Sequence, residues 1–521
     1  ENSSKMNWAM VILFTSRASC FIQTIQSIRK SSISLYSTRI SFGNPPTDPE
    51  ATILIGKKNS LRNLAIKANL VEDAVVDAML SSGPSATTFL SATTGSKTLT
   101  LCTLPETVSR NNHPLSVHKI TSNLKSVIPK HGLTSVQICD VAQIGPVVAA
   151  VSKALPLYNR KTDLPTDPVG NTDSTLTLSC YDENGKLIGN DREAEVIAEA
   201  VRLACYLVDS TPEELTTTSF AAQCQLISER FPTSVTMKEI VGSELKDKGY
   251  GGLYGVGKAA ECPPRMIIME YSPPANQIPE ETIALVGKGI LYDTGGLSLK
   301  SKEGMSGMKH DMAGAAGMLG GFLAAVNLQV NRKIILILCV AENAIGPSAF
   351  RNDDILTMYS GKTVEVNNCD AEGRLVLADG VAHATKHFDC DLIVDMATLT
   401  GAQLITTGKL HAGILANKEE IEQRAIQAGI LSGDLVFPLL YAPELLMDEF
   451  KSMVADMKNS VKDRSNAQSS CAGHFIESHL SETFKGGWLH IDMAGPGTND
   501  QRGTGFGVGL ILSLLQAPGF R

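Results

Sequence analysis

Short apolar runs rich in β-branched residues alternate with longer amphipathic segments along most of this chain. The short runs predict buried strands, and segments whose apolar residues recur three and four positions apart predict helices. In the C-terminal part the predicted strands are a run starting at 282 and the segments 332–340, 363–366, 391–396 and 488–491. Strands that alternate with helices are typical of an α/β fold with a mostly parallel central sheet flanked by helices.

A smaller α/β domain is predicted in front of this larger C-terminal domain. Its predicted strands are the apolar or alternating runs at 51–55, 117–120 and 135–139, with helical segments such as 61–80 between them. The stretch 159–173 is rich in Pro, Asp, Thr and Asn and predicts a linker, after which an amphipathic helix is expected at 192–208. The predicted limits are an extension at 1–50, the smaller domain with its linker at 51–185, and the larger domain at 186–521.

The first fifty residues differ in composition from the rest of the chain. No acidic residue occurs from 2 to 47, whereas basic residues are scattered among many serines. This composition is typical of a mitochondrial transit peptide, and the apolar run 8–14 is too short to span a bilayer, although it resembles a weak secretory segment. The alternative is an unprocessed, disordered extension or a misassigned start. A non-catalytic tail is favoured, and the expected location is cytoplasmic, with mitochondrial as the second possibility.

Composition narrows the class of protein without defining a function. The 521 residues are enough for two or three domains, and 43% hydrophobic with 19% charged residues is ordinary for a globular protein. A formal net charge of −8 argues against a nucleic-acid partner, which would require many phosphate contacts. The 11 cysteines have no repeated spacing and form no C-x-x-C pair, which predicts free thiols in a reducing compartment.

Two carboxylates, Asp370 and Glu372, lie two positions apart in the segment Asn-Cys-Asp-Ala-Glu-Gly-Arg at 368–374. In a loop after a strand, such a pair can direct both carboxylates at one point, where they repel each other unless a cation lies between them. This spacing therefore predicts a divalent metal site. The alternative is a solvated acidic turn, and the segment alone does not decide between the two.

Further charged residues follow a predicted strand upstream. Lys288 lies between two glycines, Asp293 precedes a Gly-Gly pair, and Lys300 follows soon after. Asp311 is expected in the first turn of a small-residue helix from 311 to about 325, where a carboxylate is favoured. Four acids and two lysines at strand ends and a helix start are more charge than structure alone requires, which favours the metal site.

These segments together resemble the leucyl aminopeptidase family of two-metal exopeptidases. The family signature is Asn-Thr-Asp-Ala-Glu-Gly-Arg, from which this chain departs only at Cys369. Gly-Lys-Gly, Tyr-Asp-Thr-Gly-Gly, Lys300, Met-Lys-His-Asp-Met and Ala-Thr-Leu-Thr-Gly-Ala also occur in the family order. The resemblance runs from about 193 to the C-terminus and is strongest to the branch known as probable aminopeptidases.

The resemblance implies which residues hold the metals. Asp293 and Glu372 would bridge two divalent ions, Asp370 would bind one of them, and Lys288 with Asp311 would bind the other. This donor set suits Zn²⁺, with Mn²⁺ or Co²⁺ as alternatives. Lys288 would have to be neutral, since an ammonium group has no lone pair, and burial beside a dication favours that form.

The resemblance also implies how the residues act. Water activated by the metals would attack the scissile carbonyl while the second metal holds the free α-amine of the substrate. Lys300 would donate to the oxyanion, and Arg374 would hold a bicarbonate ion that shuttles protons. The alternatives are an ordinary exposed Lys300 and an Arg374 that pairs with Asp370 or Asp379. Cys369 is expected to be a small buried residue that leaves the chemistry intact, with metal ligation or oxidation as the alternative.

The side-chain pocket is expected to be apolar. The resemblance assigns it to four positions, Met308, Thr398, Gly401 and Ala494. Gly497 stands where mammalian leucine-type enzymes have a methionine, so a wider pocket is expected, accepting leucine and other apolar residues. The implied partners are short peptides and further copies of the chain in a hexamer, with no membrane and no nucleic acid.

Two other functions were weighed against the aminopeptidase. The segment Gly252–Lys258 fits the first part of a phosphate-binding loop, but Ala259 lacks the hydroxyl that magnesium needs, so a Gly-rich connection is expected instead. A catalytically weak relative acting as a binding scaffold or regulator is the second alternative. Intact polar positions argue against it, and the acidic charge argues against DNA.

Overall fold

The computed structural model describes residues 38–68, 71–81, 89–94, 97–161, 174–189 and 191–521. Its two large sheets, one from the N-terminal part and one from the C-terminal part, carry helices on their faces. The predicted α/β class with a mostly parallel central sheet is therefore confirmed. No helix among the described residues combines the length and the hydropathy needed to cross a bilayer.

The N-terminal sheet has six strands in the order β1-β6-β5-β2-β4-β3, and only the β3–β4 pair is antiparallel. Its strands are β1 Arg39–Phe42, β2 Ala51–Gly56, β3 Phe89–Thr94, β4 Lys97–Thr103, β5 Gly132–Ile138 and β6 Ser174–Cys180. The helices of this part are α1 Lys58–Ala68, α2 Asp73–Ser81, α3 Val117–Val127 and α4 Ile144–Lys153.

The C-terminal sheet has eight strands in the order β15-β14-β17-β13-β9-β10-β8-β7. These strands are β7 Val235–Val241, β8 Arg265–Tyr271, β9 Thr282–Asp293, β10 Lys333–Asn343, β13 Leu392–Ala397, β14 Ala412–Ala416, β15 Val436–Pro438 and β17 Gly487–Asp492. Two small sheets contain β11 Ile355–Thr357, β12 Thr363–Glu365 and β16 Met457–Lys458, and β18 Thr498–Asn499 with β19 Arg502–Gly503. The four central strands β10, β9, β13 and β17 run parallel, so their carboxyl ends share one edge.

Helices cover this sheet on both faces. They are α5 Asp191–Asp209, α6 Thr217–Arg230, α7 Ser243–Asp247, α8 Gly251–Gly257, α9 Lys302–Met305, α10 Ala313–Asn327, α11 Gly373–His387, α12 Gly401–Thr406, α13 Glu419–Ser432, α14 Pro443–Leu446, α15 Gln468–Glu477 and α16 Val508–Leu514, with 3₁₀ turns at Met308–His310 and Met447–Phe450. The small residues of α10 allow a close approach to β9: a Cβ on Gly287 would lie 2.7 Å from the Cα of Ala315.

One sequence prediction in the N-terminal half was wrong, and two others need adjustment. The run 117–120 begins helix α3 rather than a strand, because its apolar residues continue at helical spacing through Leu124. The segment 61–80 forms two helices, α1 and α2, instead of one. The extension placed at 1–50 also contains β1, which pairs in parallel with β6, so its last part belongs to the sheet. Residues 1–37 and most of the predicted linker lie outside the described residues, and the domain limits stay a prediction.

Candidate active site

The carboxyl edge of the parallel strands collects the charged residues that the sequence singled out. Lys288 and Asp293 lie on β9, and Asp293 is its last residue. Asp370 and Glu372 lie in the turn that leads into α11. Asp311 does not lie in the first turn of α10, as predicted, but two residues before its start, directly after the 3₁₀ turn. This position still directs its carboxylate at β9.

Lys288 bridges two carboxylates from different segments. Its Nζ lies 2.8 Å from Asp311 Oδ2 and 2.9 Å from Glu372 Oε1, and it donates to the carbonyl oxygen of Thr398 at 3.0 Å. Only 2% of Lys288 is exposed. Burial alone would lower the pKa of Lys288, but the carboxylates of Asp311 and Glu372 outweigh it and raise the pKa above its usual value.

Lys300 bridges a second pair of carboxylates. Its Nζ lies 2.7 Å from Asp293 Oδ2 and 2.5 Å from Asp370 Oδ1, and its side chain is 17% exposed. Burial opposes the charge, yet Asp293 and Glu372 raise the pKa of Lys300. The interpretation of Lys300 as an ordinary exposed lysine is therefore wrong.

Three carboxylates meet at one point. Asp293, Asp370 and Glu372 each offer an oxygen, and these atoms lie within 4.8 Å of one another. Burial raises the pKa of Asp293 and of Asp370, while for Glu372 the nearby Lys288 and Lys300 outweigh burial and lower it. The second oxygen of Glu372, Oε2, is buried and has no hydrogen-bond partner among the described residues. Such a cluster supplies oxygen donors and concentrates negative charge, and both features suit a divalent ion.

Arg374 is buried without the ion pair considered above. Its Nε and Nη1 have no hydrogen-bond partner in the described part of the chain, and its guanidinium lies 6.0 Å from the ring centroid of Phe450. Asp379, one of the two suggested partners, instead accepts from the backbone N–H groups of Leu253 and Tyr359. Burial lowers the pKa of Arg374 to about 10. Unpaired donors on a buried cation leave Arg374 able to bind an anion.

A single cavity of about 290 Å³ contains this whole arrangement. All eleven residues proposed from the sequence line it, namely Lys288, Asp293, Lys300, Met308, Asp311, Asp370, Glu372, Arg374, Thr398, Gly401 and Ala494. Gly497 is not among the lining residues, and a Cβ there would meet Thr398 Cγ2 at 3.0 Å. A side chain at position 497 would therefore contact Thr398 and the Met493 carbonyl oxygen, and the wider pocket stays a prediction.

Sequence reasoning missed several residues of the site. Asn343 is the last residue of β10, faces Asp293 in the strand register, and donates to Asp293 Oδ1 at 2.8 Å. A polar residue at the end of an apolar run was the available signal. The lining residues His310, Ser460, Arg464 and Gln468 were also missed. Arg464 and Gln468 are brought in by tertiary folding from a region without any recognised motif.

Two expectations about neighbouring residues have clear outcomes. Cys369 is fully buried, and its Sγ lies 3.5 Å from the carbonyl oxygen of Phe350 and 3.4 Å from Asn352 Oδ1. Burial raises the pKa of the thiol, which disfavours the reactive thiolate. The segment Gly252–Lys258 is neither a phosphate-binding loop nor a Gly-rich connection, because α8 occupies Gly251–Gly257 and its small residues pack under Leu375 and Met358.

Comparison with known proteins agrees with this geometry. Residues 202–512 match the model of the cytosol aminopeptidase family, catalytic domain. The chain belongs to the cytosol aminopeptidase family. It is therefore a hydrolase of the metallo-exopeptidase type, and the resemblance seen in the sequence is confirmed.

Individual relatives extend the family match beyond the catalytic region. The probable aminopeptidase NPEPL1 of Mus musculus is 45% identical over 418 residues, covering 80% of this chain and 79% of that protein. Leucine aminopeptidase 1 of Caenorhabditis elegans is 37% identical over 475 residues, covering 89% and 94%. The structure of leucyl aminopeptidase from Trypanosoma brucei in complex with bestatin superposes with a TM-score of 0.84 at 35% identity, covering 96% of this chain and 99% of that one. The N-terminal sheet is thus included in the similarity.

Proposed function

We propose that this aminopeptidase releases the N-terminal residue of short peptides by using two divalent ions held at the carboxyl edge of β9. The convergence of Asp293, Asp370 and Glu372 within 4.8 Å, beside the Lys288–Asp311 pair, carries the proposal. In it, Asp293 and Glu372 would hold both ions, Asp370 would complete one site, and Lys288 with Asp311 would complete the other. Zn²⁺ is the proposed ion, with Mn²⁺ or Co²⁺ as substitutes.

The residues present fit such ions. Four carboxylates supply oxygen donors of the type these metals accept, and Glu372 Oε2 is buried without a partner among the residues described. Without metal, the ammonium groups of Lys288 and Lys300 balance the negative charge of the carboxylates. With metal bound, the ions would supply that positive charge, and Lys288 would have lost its proton. When bound, the two ions would activate a water molecule near neutral pH and polarise the scissile carbonyl.

The chain's own residues supply the remaining functions. Lys300 lies at the cavity beside Asp293 and Asp370, from where its ammonium group can donate to a carbonyl oxygen that gains negative charge during hydrolysis. Arg374 offers two buried unpaired donors, which suit the two oxygens of a bicarbonate ion. In this proposal Arg374 would hold bicarbonate, which would supply a group able to shuttle a proton.

An apolar N-terminal residue, with leucine as the reference, is the proposed substrate specificity. Met308, Gly401, Ala494 and the additional lining residue Leu404 form a wall without charge. The names of the C. elegans and T. brucei relatives, and bestatin in the latter, support this specificity. Assembly into hexamers and a cytoplasmic location are also proposed, on the family resemblance and on the name of the family.

Hydrolysis of leucyl-amidomethylcoumarin by the purified full-length chain tests the proposal. We expect turnover with Mn²⁺ or Zn²⁺, loss of turnover after dialysis against a chelator, recovery on adding metal back, and inhibition by bestatin. A panel of aminoacyl substrates would then rank leucine and other apolar residues above acidic ones. Metal-loaded protein that left every aminoacyl-amide intact would contradict the proposal.

A further inference from the structure

Asp492, the last residue of β17, is a fully buried carboxylate that no proposed role uses. Its Oδ1 accepts from the backbone N–H of Leu399 at 3.1 Å, of Ala494 at 3.3 Å and of Thr400 at 3.4 Å. Its Oδ2 accepts from the Thr400 hydroxyl at 2.6 Å. Within the described ranges no lysine or arginine lies at ion-pair distance from it; burial raises the pKa of Asp492, and His490 two residues earlier on β17 opposes that rise. Burying a carboxylate without hydrogen bonds would cost free energy. Losing any of these four bonds is therefore unfavourable, and they fix the backbone segments that donate them.

The backbone that Asp492 holds also supports two proposed metal ligands. Thr398 directly precedes Leu399, its carbonyl oxygen accepts from Lys288 Nζ at 3.0 Å, and its hydroxyl donates to Asp311 Oδ1 at 2.9 Å. The carboxylate of Asp492 is thus one residue away from the contacts that orient Lys288 and Asp311.

The same carboxylate joins two segments that line the cavity. Ala494 and the 398–401 segment both line it, and Asp492 Oδ1 accepts from the backbone of both. The Thr400 hydroxyl continues the network to Ser469 Oγ at 2.7 Å, next to the lining residue Gln468. A shift of Asp492 would therefore move the pocket wall and Thr398 together.

We propose that Asp492 is a positioning residue, which fixes the 398–401 segment so that Thr398 orients Lys288 and Asp311 for one of the two divalent ions. The inference rests on the two-metal site proposed above. Its specific consequence is that loss of Asp492 lowers the affinity for the ion held by Lys288 and Asp311. The affinity for the ion held by Asp370 should change much less.

Asp395 on β13 provides a matched control. It is also a fully buried carboxylate, and it accepts from Trp488 Nε1 at 2.8 Å and pairs with His490 Nδ1 at 2.5 Å. Neither of those partners lines the cavity. Replacing Asp395 removes a buried acceptor of the same kind and leaves in place every group that makes the hydrogen bonds between Asp492 and the 398–401 segment.

Calorimetric titration of chelator-treated full-length protein with Mn²⁺ tests the inference. Two binding events per chain in the wild type would support the proposed metal site itself. We expect Asp492→Ala to weaken one event by about 10- to 100-fold, as for other groups that orient metal ligands, and to leave the other within about threefold. Asp492→Asn keeps an acceptor oxygen for the backbone N–H groups and should recover most of the loss, while Asp395→Ala should lower Tm without changing either event.

A double-mutant cycle distinguishes positioning from a general structural effect. If Asp492 acts through Thr398, the losses in Mn²⁺ affinity caused by Asp492→Ala and Thr398→Val should be clearly less than additive. Thr400→Val decides the matter if Asp492→Ala does not fold. It keeps the carboxylate and its backbone bonds and removes the hydroxyl, which bonds Asp492 Oδ2, Ser469 Oγ and the N–H of Gln403, and it should still weaken the same event. Two unchanged binding events in the folded variants, equal losses in Asp395→Ala, or full additivity would overturn the inference while leaving the two-metal proposal in place.

Discussion

Lys288 and Lys300 each bridge two carboxylates, so four acids and two ammonium groups share one buried network. The network explains why burial raises the pKa of Asp293 whereas the two lysines lower that of Glu372. A group removed from such a network leaves an opposite charge without its partner. Substitutions here therefore change both the chemistry and the local electrostatics, and a nearby exposed control is needed for each.

Lys300→Ala tests the proposed oxyanion contact. We expect kcat for leucyl-amidomethylcoumarin to fall by about 100-fold or more, because an electrostatic donor to the developing charge is lost. Lys302→Ala is the control, since Lys302 is exposed in α9 and should leave kcat unchanged. A kcat in Lys300→Ala close to that of the wild type would contradict the assigned role.

Cys369→Thr restores the family signature. The Cys369 thiol lies close to the carbonyl of Phe350 and to Asn352, and a threonine hydroxyl can use the same acceptors. We expect kcat/KM to stay within about threefold, which corresponds to about 0.6 kcal/mol of barrier. A change above tenfold in a steady-state assay would show that the thiol takes part in the chemistry.

Sequence reasoning located these site residues because their motifs are local and because the resemblance fixed their order. It could not locate Arg464 and Gln468, which reach the cavity through folding of the 451–468 region. It also placed Asp311 in the wrong structural setting. The Gly-Ala-rich pattern predicts the helix correctly, but the 3₁₀ turn at Met308–His310 delays its start.

At the scale of elements, the close contact between β9 and α10 sets the position of Lys288. Gly287 faces α10 at a point where there is no room for a side chain. Because successive side chains of a strand point to opposite faces of the sheet, Lys288 points to the other face, where it contacts Gly373 at the start of α11. The apolar runs predicted the central strands well because each is buried on both faces. The run 117–120 was assigned to a strand because a short apolar run does not distinguish strand from helix.

Gly287→Ala tests this contact. The new Cβ would lie 2.7 Å from the Cα of Ala315, so strand and helix must separate, at a cost of about 1–3 kcal/mol. We expect a lower Tm by differential scanning fluorimetry. Gly189→Ala is the control, since a Cβ there meets no atom within 4 Å. Equal Tm values for the two variants would contradict the packing described.

Asp379 gives the helix α11 a pH-dependent anchor. Its carboxylate accepts from the backbone N–H groups of Leu253 in α8 and Tyr359 after β11, and burial raises its pKa to about 7. A raised pKa means that the folded state binds the proton more tightly than the unfolded state, so this group's contribution to stability is lost as pH rises towards 7. We expect the Tm of the wild type to fall relative to Asp379→Asn between pH 5 and pH 8. A constant difference over that range would contradict the raised pKa.

At the scale of the whole molecule, the smaller N-terminal and the larger C-terminal α/β parts contact each other through α5. This helix packs against both α4 and α10. The N-terminal sheet contributes no residue to the cavity. Apolar side chains remain exposed on the C-terminal part, including Ile405 at 90% and Met453 at 96%.

In the proposed function, five side chains from separate segments would bind two divalent ions. Anomalous X-ray diffraction at the zinc edge, from crystals grown with Zn²⁺, measures this directly. We expect two peaks per chain, both at about 2.0–2.2 Å from oxygens of Asp293 and Glu372, with Asp370 at one and Asp311 with Lys288 Nζ at the other. Zinc bound elsewhere, or a single peak at saturating Zn²⁺, would contradict the proposed two-metal site.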